Sequence, residues 1–385
     1  MEENKIVKLS DVCDLIPGFA FKSSEFGEHQ TKAVKIGDIQ PPYVNYASMA
    51  GVDVTKYTLS KLAKYEIHKG DFVLAMTGAT IGKIGRYISN TGAYINQRVL
   101  KFKPHEDVNS DFIYYIVSST SFQKYILNNV DSETAQPNIS AGSVGKYEFE
   151  LPSLEEQNRI ADILVSLDNK IQLNRQINDN LEQQASSLLS DWISTYPCRT
   201  YKLSDICKYA NAKCETGNLT PQNYISTENM LPNRKGIVEA SNIPTGKVTC
   251  YKVDDVLIAN IRPYFQKIWK ADINGGCSAD VLCIRANIES HSPILYWLLH
   301  QDAFFEYVMT GAKGCKMPRG DKQHIMNWSI DLPEVQYWAD LATQLGSIDQ
   351  QIAYNRIESI NLSNLRDTLL PKLMSGELKI NEIDC

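Results

Sequence analysis

The chain has 385 residues, of which 43% are hydrophobic and 22% charged, and its formal net charge is −6. A single core is not expected at this length, so the chain predicts two or three domains of ordinary globular composition. No run of about eighteen apolar residues occurs, and the N-terminus lacks the apolar segment of a secretory signal. We therefore expect no membrane span and a cytoplasmic location.

Nine cysteines and six histidines are scattered along the chain. Neither CxxC pairs nor an HExxH motif is present, so the spacing of these residues does not match a zinc site. We expect free thiols and no metal site.

The acidic side chains are unevenly distributed. Residues 151–195 hold 3 basic and 7 acidic side chains and residues 332–385 hold 4 and 8, whereas residues 1–150 hold 16 and 17 and residues 196–331 hold 16 and 13. Nucleic-acid-binding domains are usually clearly basic. Tight binding of nucleic acid by this chain would therefore need basic partners.

Residues 1–150 predict an α+β segment. Alternating apolar and polar residues bounded by Gly and Pro predict strands within residues 33–39, 69–88 and 93–102. Apolar residues at helical spacing predict one amphipathic helix over Asp111–Leu127. The text from residue 132 to residue 152 predicts a polar loop that leads through a strand into the next segment.

Residues 151–195 predict one long helix with a narrow apolar stripe, a pattern typical of a coiled coil. The pattern returns 181 residues later, within residues 332–385, where Asp168 aligns with Asp349. We predict that the two helices pack on each other. The predicted seam residues are Leu164, Leu167, Ile171, Asn174, Leu181 and Leu188 in the first helix, and Leu345, Ile348, Ile352, Asn355, Leu362 and Leu369 in the second.

Two features of these helices need separate interpretation. Asn174 and Asn355 occupy equivalent seam positions; a polar residue there can fix the register of a coiled coil, but both side chains could equally reach solvent. Pro371 lacks a backbone N–H, so we expect it to kink or end the second helix.

Residues 196–331 repeat the order of residues 1–150. KLSDIC (202–207) matches KLSDVC (8–13), residues 253–271 replace residues 69–88, and residues 275–286 replace the 93–102 strand. The scaffold recurs while the loops diverge, which favours two copies of one binding module with different targets. The predicted fold is α+β with a pseudo-two-fold repeat: two similar α/β domains, 1–150 and 196–331, joined by two antiparallel helices, 151–195 and 332–385, packed as a coiled coil.

This order of segments resembles the specificity subunit of type I restriction–modification enzymes. The resemblance covers essentially the whole chain and is strongest in LPSLEEQNRIADILVSLDNKI (151–171), LRDTLLPKLMSGEL (365–378), GDFVLAMTGATIGKIG (70–85) and DVLIANIRPYFQKIW (255–269). The second helix departs from the family pattern at its first turn, where residues 335–338 read VQYW instead of an EEQ-like text.

The resemblance implies a non-catalytic DNA-binding subunit that reads a bipartite, asymmetric target with two target recognition domains. Its implied partners are double-stranded DNA, two methyltransferase subunits that bring S-adenosylmethionine, and restriction subunits that use ATP and Mg. It implies no cofactor in this chain.

Bidentate donors and basic residues near turns are the physical candidates for DNA contacts. In the first module they are Thr77, Thr80, Lys83, Asn96, Gln97, Arg98, Gln136 and Asn138. In the second module they are Arg262, Tyr264, Lys267, Lys313, Lys316, Arg319 and Lys322. Each could instead be a solvated charge or a turn former, and Arg98 and Arg262 could equally pair with a carboxylate inside their module.

Two other functional classes remain open. The chain could be a coiled-coil adaptor whose modules bind protein or another ligand. A stand-alone methyltransferase is less favoured. QPPY (40–43) resembles part of the Asn/Asp-Pro-Pro-Tyr motif, but Gln40 stands where that motif has Asn or Asp. GATIGK (78–83) lacks the spacing of a phosphate loop.

The helices also predict a measurable spacing. Residues 155–192 span about 57 Å as a helix, and half-sites on one face of DNA lie about 34–36 Å apart. Inserting four residues after Arg175, about one turn, should lengthen the gap between two unchanged half-sites. Single-molecule methylome sequencing reads this gap, and an unchanged gap would show that the helices do not set the spacing.

Overall fold

The structure, a computed structural model, describes residues 5–130, 137–314, 316–374 and 377. The chain divides into two compact units, Met1–Ile171 with Ile360–Cys385, and Gln172–Ser359. Both long helices therefore contribute residues to both units.

The first unit contains three sheets, with strand orders β1-β12, β6-β3-β10-β7 and β2-β11-β8-β9-β5-β4. Its strands are β1 (Lys5–Lys8), β2 (Cys13–Pro17), β3 (Phe26–Val34), β4 (Ile39–Gln40), β5 (Tyr43–Val44), β6 (Ala50–Val52), β7 (Glu66–Ile67), β8 (Phe72–Ala75), β9 (Ile84–Arg86), β10 (Ala93–Ile95), β11 (Val99–Pro104) and β12 (Glu148–Leu151). Its helices are α1 (Leu9–Val12), α2 (Leu59–Leu62), α3 (Ser110–Ser118), α4 (Thr120–Asn128), α5 (Ala141–Gly145) and the first part of α6 (Leu154–Thr195).

The second unit also contains three sheets, with strand orders β13-β22, β14-β21-β18-β19 and β15-β17-β20-β16. Its strands are β13 (Cys198–Lys202), β14 (Cys207–Tyr209), β15 (Lys213–Glu215), β16 (Tyr224–Ile225), β17 (Lys247–Tyr251), β18 (Val256–Ala259), β19 (Ile268–Lys270), β20 (Gly275–Cys277), β21 (Val281–Ala286) and β22 (Ser329–Pro333). Its helices are α7 (Leu203–Ile206), α8 (Ser292–Leu299), α9 (Asp302–Thr310), α10 (Lys322–Met326) and the first part of α11 (Trp338–Met374).

The two units share the topology of the main sheet and of three strands in the second sheet, so the α+β fold with an internal repeat is confirmed. The order β2-β11-β8-β9 in the first unit corresponds to β14-β21-β18-β19 in the second. In both units a parallel pair, β3 with β10 or β16 with β20, borders an antiparallel strand, β7 or β17. Strands β4 and β5 extend the main sheet in the first unit.

The central strands of the main sheets are buried on both faces, which explains their uninterrupted apolar sequence. In β8, Phe72 and Leu74 belong to a core that includes α3 and α4, while Val73 and Ala75 belong to a core on the opposite face. In β18 the residues of VLIA alternate in the same way between two cores. The helices therefore lie against one face of each main sheet.

The prediction of one continuous helix over Asp111–Leu127 is wrong, because the chain breaks at Ser119. Ser119 is extended, with φ −68° and ψ 153°, and its hydroxyl accepts a hydrogen bond from the backbone N–H of Phe122. An N-cap serine satisfies a donor that a helix leaves free. It therefore starts α4 directly after α3, although the apolar periodicity continues across the break.

Two further segments differ from the sequence predictions. The predicted polar loop contains α5, which Ser140 caps by accepting a hydrogen bond from Ser143 N–H. The predicted strand at residues 33–39 ends at Val34, and a 3₁₀ turn at Ile36–Asp38 follows it. Asp38 accepts a hydrogen bond from Lys35 N–H, so a local side-chain bond replaces a strand bond.

The long helices pair antiparallel within the second unit. Asn174, near the start of this part of α6, faces Asn355 and Glu358, whereas Trp192 donates to the Tyr337 carbonyl at 2.9 Å. Apolar side chains of both helices share one core with α8, among them Ala185, Leu189, Leu341, Leu345 and Ile348.

Asn174 and Asn355 are buried, with 1% and 4% of their surface exposed, so neither reaches solvent. The Asn355 amide donates to Asn178 at 2.8 Å and accepts from Gln351 at 2.8 Å. A polar network of this kind restricts the register of two packed helices. Its role in fixing the register stays a prediction.

The helices also pair within the first unit, where Arg366 of α11 donates to Asp168 of α6 at 2.7 Å. Ile160, Ala161 and Leu164 share a core with Leu370 and Leu373. Pro371 lies inside α11, which continues to Met374, so Pro371 does not end the helix. Only three further residues follow it in the helix, which limits the number of hydrogen bonds that the proline ring disturbs.

The aligned aspartates have the same role in both units. In the first unit Asp168 accepts from the Tyr115 hydroxyl of α3 at 2.7 Å. In the second, Asp349 accepts from the Trp297 indole of α8 at 2.8 Å and from Lys270 at 2.6 Å. A buried charge needs such partners. Each long helix thus carries a carboxylate that anchors the helix packed on the main sheet.

The first turn of α11 differs in sequence from that of α6, but it forms an equivalent hydrogen bond. Gln157 donates its amide to the Pro152 carbonyl at 2.9 Å, and Trp338, the residue 181 positions later, donates its indole N–H to the Pro333 carbonyl at 2.8 Å. Both side chains are 2% exposed. The two helix starts therefore share one backbone anchor despite their different sequences.

The predictions about disulfides, metal sites and membrane spans can be compared with the described residues. The described cysteines are unpaired thiols, and Cys315 and Cys385 lie outside the described residues. Within the described ranges, no group of three His, Cys, Asp or Glu side chains could hold a metal ion. In the same part of the chain, no helix combines the length and apolar character needed to cross a membrane.

Glu182 of α6 predicts a pH dependence of stability. Burial raises its pKa to about 7, with a further increase from Asp179 and an opposing effect from Arg234. Because the folded pKa exceeds the unfolded value, the stabilising contribution of the proton is complete below pH 4.5 and is lost as the pH rises through 7.

Glu182→Gln should therefore raise the free energy of unfolding by about 1–3 kcal/mol at pH 8 and change it little at pH 4.5. Chemical denaturation at both pH values measures the difference. The matched control is Asp191→Asn, an exposed position of the same helix, and an equal gain for Glu182→Gln at both pH values would contradict the prediction.

Candidate nucleic-acid interface

Three loops of the first unit meet at one end of β8. They are residues 77–83 between β8 and β9, residues 96–98 between β10 and β11, and residues 137–139 before α5; we call this group the first cradle. Met76 N–H donates to the Arg98 carbonyl at 2.9 Å, Gly78 N–H to the Pro137 carbonyl at 3.0 Å, and Ile139 N–H to the Met76 carbonyl at 3.0 Å.

The second unit builds the same framework from residues 261–267, 278–280 and 318–320, which we call the second cradle. Asn260 N–H donates to the Asp280 carbonyl at 2.8 Å, Arg262 N–H to the Pro318 carbonyl at 2.8 Å, and Gly320 N–H to the Asn260 carbonyl at 3.2 Å. Each bond has its counterpart in the first cradle. The backbone of the two cradles is therefore equivalent, and their side chains differ.

The first loop of each cradle contains a 3₁₀ turn and has positive φ at two equivalent positions. Gly78 (φ 72°) begins the turn and Gly82 (φ 83°) follows it in the first unit, and Arg262 (φ 52°) and Gln266 (φ 50°) flank it in the second. Side chains rarely adopt this conformation, and it costs about 1–2 kcal/mol per residue. The second cradle therefore holds strain at two positions where the first cradle has glycine.

A close approach holds the 96–98 loop in place. A Cβ on Gly18 would lie 2.1 Å from the Asn96 carbonyl oxygen, so only glycine fits there. This contact allows Phe19 N–H to donate to the Ile95 carbonyl at 2.9 Å and Gln97 N–H to the Phe19 carbonyl at 2.8 Å. The loop that carries Arg98 is thereby tied to the segment after β2.

The first cradle brings together seven of the eight residues nominated in the first module, and Gln136 lies outside the described residues. Thr77 is buried and donates to the Pro137 carbonyl at 3.0 Å, and Thr80 donates to the Thr77 carbonyl at 3.4 Å. Arg98 is exposed and donates to the amide oxygen of Asn138 at 3.1 Å. Among the seven nominated residues, Lys83, Gln97 and Arg98 are exposed.

In the second module the nominated residues divide into two groups. Arg262, Tyr264, Lys267 and Arg319 lie in the second cradle, where Tyr264 is 48% exposed. Lys267 donates to the Thr227 carbonyl at 2.6 Å, and burial lowers its pKa. Lys267 therefore stabilises its own loop.

The remaining nominated residues, Lys313, Lys316 and Lys322, border Arg319 along residues 313–322. Lys313 and Arg319 exchange two backbone hydrogen bonds, which closes this loop. Lys313 pairs with Asp321 at 2.7 Å, and this contact lowers the pKa of Asp321 to about 2. Lys316 is exposed, and the Lys322 ammonium lies 5.6 Å from the Tyr209 ring centre.

Buried polar atoms that have no hydrogen-bond partner among the described residues mark both cradles. They include the side-chain oxygen of Asn96 in the first, and the side-chain oxygen of Asn260 and Nε of Arg262 at the second. An unpaired buried polar atom is destabilising and is unusual in a folded protein. Unpaired atoms and backbone strain at the same loops are typical of a ligand-binding site.

Asn260, which directly precedes the second cradle, and Asp280 within it were not among the sequence candidates. Asp280 aligns with Arg98 in the repeat, and this alignment could have identified it as a candidate. It is acidic, however, whereas basic residues and bidentate donors are the expected DNA contacts. Asp280 pairs with Arg319 at 3.3 Å. Arg98 donates to the amide oxygen of Asn138, so this contact is not the carboxylate pair that the alternative interpretation of Arg98 expects.

Comparison with known proteins finds relatives of one kind. Residues 1–183 match the family model described as the type I restriction modification DNA specificity domain. The chain is 30% identical over 194 residues to the type I restriction enzyme MjaVIII specificity subunit of Methanocaldococcus jannaschii, an alignment that covers 49% of this chain and 45% of that protein. The MjaIX specificity subunit of the same organism is 22% identical over 368 residues, covering 88% and 84%.

A solved structure supports the fold. The S subunit of a type I restriction–modification system from M. genitalium superposes with a TM-score of 0.54 at 16% identity and covers 97% of both chains. The architecture is thus that of a two-module protein built on paired helices. Residues 1–183 are thus similar to a type I restriction modification DNA specificity domain, and the whole chain shares the fold of the M. genitalium S subunit.

The strain at Arg262 leads to a prediction in which stability and binding change in opposite directions. Arg262→Gly removes the positive-φ strain, while the extra freedom of glycine in the unfolded chain offsets about 0.4–1 kcal/mol. We expect a net gain of about 0.5–1 kcal/mol in the free energy of unfolding and weaker binding of DNA. Denaturation and mobility-shift titration measure the two effects.

The matched control is Gly78→Ala at the equivalent position. A Cβ there has no atom of the described residues within 4 Å, so strain alone should lower the stability by about 1 kcal/mol. A loss of stability in Arg262→Gly would show that the arginine side chain stabilises the fold.

Proposed function

We propose that this chain is the DNA-reading, non-catalytic subunit of a type I restriction–modification enzyme. Each cradle reads one half of a bipartite, asymmetric DNA target. Because the chain is acidic overall, basic partner subunits complete the binding of DNA.

One observation carries the proposal: two equivalent loop frameworks present different polar side chains. The equivalent backbone bonds are described above, and the side chains at equivalent positions include Arg98 against Asp280 and Asn138 against Arg319. A single ligand bound twice would favour the same side chains in both cradles. Two different half-sites favour a common framework with different donors and acceptors, because base edges are distinguished by their hydrogen-bonding pattern.

The long helices supply the surface for protein partners. Large apolar side chains are exposed on them, with Leu173 at 48%, Tyr354 at 62% and Ile357 at 51% in the second unit. Exposed apolar groups on a polar helix are typical of a protein interface. In the proposed complex two methyltransferase subunits bind there.

The partner subunits supply the chemistry. S-adenosylmethionine belongs to the methyltransferase subunits, and ATP and Mg belong to the restriction subunits. This chain positions those subunits on cytoplasmic DNA and takes no part in bond making.

A mobility-shift experiment separates this function from an adaptor. The purified chain with its methyltransferase subunits is titrated with methylated and unmethylated duplexes that contain the target found by methylome sequencing. Sequence-specific binding supports the proposal. Absent or sequence-independent binding favours the adaptor, and methyl transfer by the chain alone would favour the stand-alone enzyme.

Module exchange tests whether the two readers are independent. Replacing residues 1–150 with the corresponding segment of another specificity subunit should change one half of the methylated motif and preserve the other. The reciprocal exchange of residues 196–331 is the matched control and should change the other half only. If both halves change in either chimera, the modules do not read independently.

A further inference from the structure

We propose that Arg98 and Arg319 are the guanine-reading residues of the two cradles. The arginine lies on the β10–β11 loop in the first cradle and on the loop before α10 in the second, and this exchange of loops gives the two units different half-sites. The inference rests on the DNA-reading function proposed above and deepens it by naming the specificity-determining residues.

The backbone establishes which positions correspond. Arg98 and Asp280 each accept, through their carbonyls, the bond from the residue before the first loop, Met76 or Asn260. Asn138 forms a bridge with Thr77, as Arg319 does with Ile261. Position 98 therefore corresponds to 280, and position 138 to 319.

In both cradles the two corresponding positions contact each other through their side chains. Arg98 Nη1 lies 3.1 Å from Asn138 Oδ1, and Arg319 Nη2 lies 3.3 Å from Asp280 Oδ1. Each pair joins one arginine to one acceptor. The arginine lies on the β10–β11 loop in the first unit, and on the loop before α10 in the second.

This contact prepares each arginine for a base edge. A guanidinium has five N–H donors in a planar fork, and one bond to the partner leaves the others available. Two parallel donors match O6 and N7 of guanine in the major groove. Both arginines are exposed, and a side chain that is already held loses less entropy when it binds.

The partner determines the remaining chemistry of each cradle. Asn138 is neutral, so Arg98 keeps its full positive charge, and the Asn138 amide can bond adenine. Asp280 balances the charge of Arg319, and a carboxylate oxygen accepts a hydrogen bond from the amine of cytosine. The two cradles thus combine a guanine reader with different second contacts.

The test uses the full chain with its methyltransferase subunits. Methylation is measured on duplexes in which the wild-type target, known from methylome sequencing, is changed one base pair at a time. The variants are Arg98→Ala, Arg98→Lys, Arg319→Ala and Arg319→Lys, and the matched control is Lys83→Ala, an exposed cation of the first cradle. Thermal denaturation verifies that each variant folds.

Arg98→Ala and Arg98→Lys should reduce the discrimination at one guanine of the first half-site by about 5- to 150-fold and leave the second half-site unchanged. The Arg319 variants should do the same in the second half-site. The lysine variants keep the charge but lose the planar fork. Lys83→Ala should weaken all sequences alike and make the salt dependence shallower by about one unit.

A rearranged variant tests the reversed placement directly. Arg98→Asn combined with Asn138→Arg keeps the same two side chains in the first cradle. It moves the guanidinium to position 138, which corresponds to the position of Arg319 in the second cradle. We expect a changed first half-site. An unchanged first half-site would overturn the assignment of specificity to the placement of the arginine.

Other results overturn the guanine-reading role while the proposed function stands. The Arg98 and Arg319 variants would then weaken all sequences alike, as Lys83→Ala does, or leave selectivity unchanged, while the wild-type complex discriminates in the same library. A wild-type complex without sequence preference would overturn both proposals.

Discussion

A partly buried carboxylate on each long helix, with 22% of the side chain exposed in Asp168 and 10% in Asp349, is the interaction on which the rest of the structure depends. Asp168 and Asp349 accept hydrogen bonds from Tyr115 and Trp297, which belong to the helices packed on the main sheets. Burial raises the pKa of Asp349, and Lys270 opposes that effect. A carboxylate that is largely shielded from solvent is destabilising without its donors, so the same hydrogen bonds that satisfy each carboxylate also hold the long helix to its module.

The two modules present different side chains on one hydrogen-bonded loop backbone. The loops that follow β8 and β18 have the same hydrogen-bonded frame, although one is TGATIGK and the other IRPYFQK. Glycine adopts the positive-φ conformation at Gly78 and Gly82 without strain, whereas Arg262 and Gln266 adopt it with strain. The frame therefore does not depend on the loop sequence, and side chains there can diverge while the module keeps its fold.

Much of the architecture could be predicted because it depends on local periodicity and on the internal repeat. The stripe through Leu164 and Ile171 predicts a helix with one partner, and its recurrence at Leu345 and Ile352 identifies that partner. The helix break at Ser119 was missed because apolar periodicity persists across it. The DNA-contact candidates stay predictions, although the structure shows that most of them lie in the two cradles.

The sequence by itself determined the repeat and the paired helices, because the helices follow from local hydrophobic spacing and the same spacing returns 181 residues later. Only the tertiary structure decided which loops meet, since residues 77, 98 and 138 are far apart in the chain and converge through backbone hydrogen bonds. It also decided that Asp280 faces Arg319 and that Arg262 has a left-handed conformation. These features depend on long-range packing, which a local pattern does not encode.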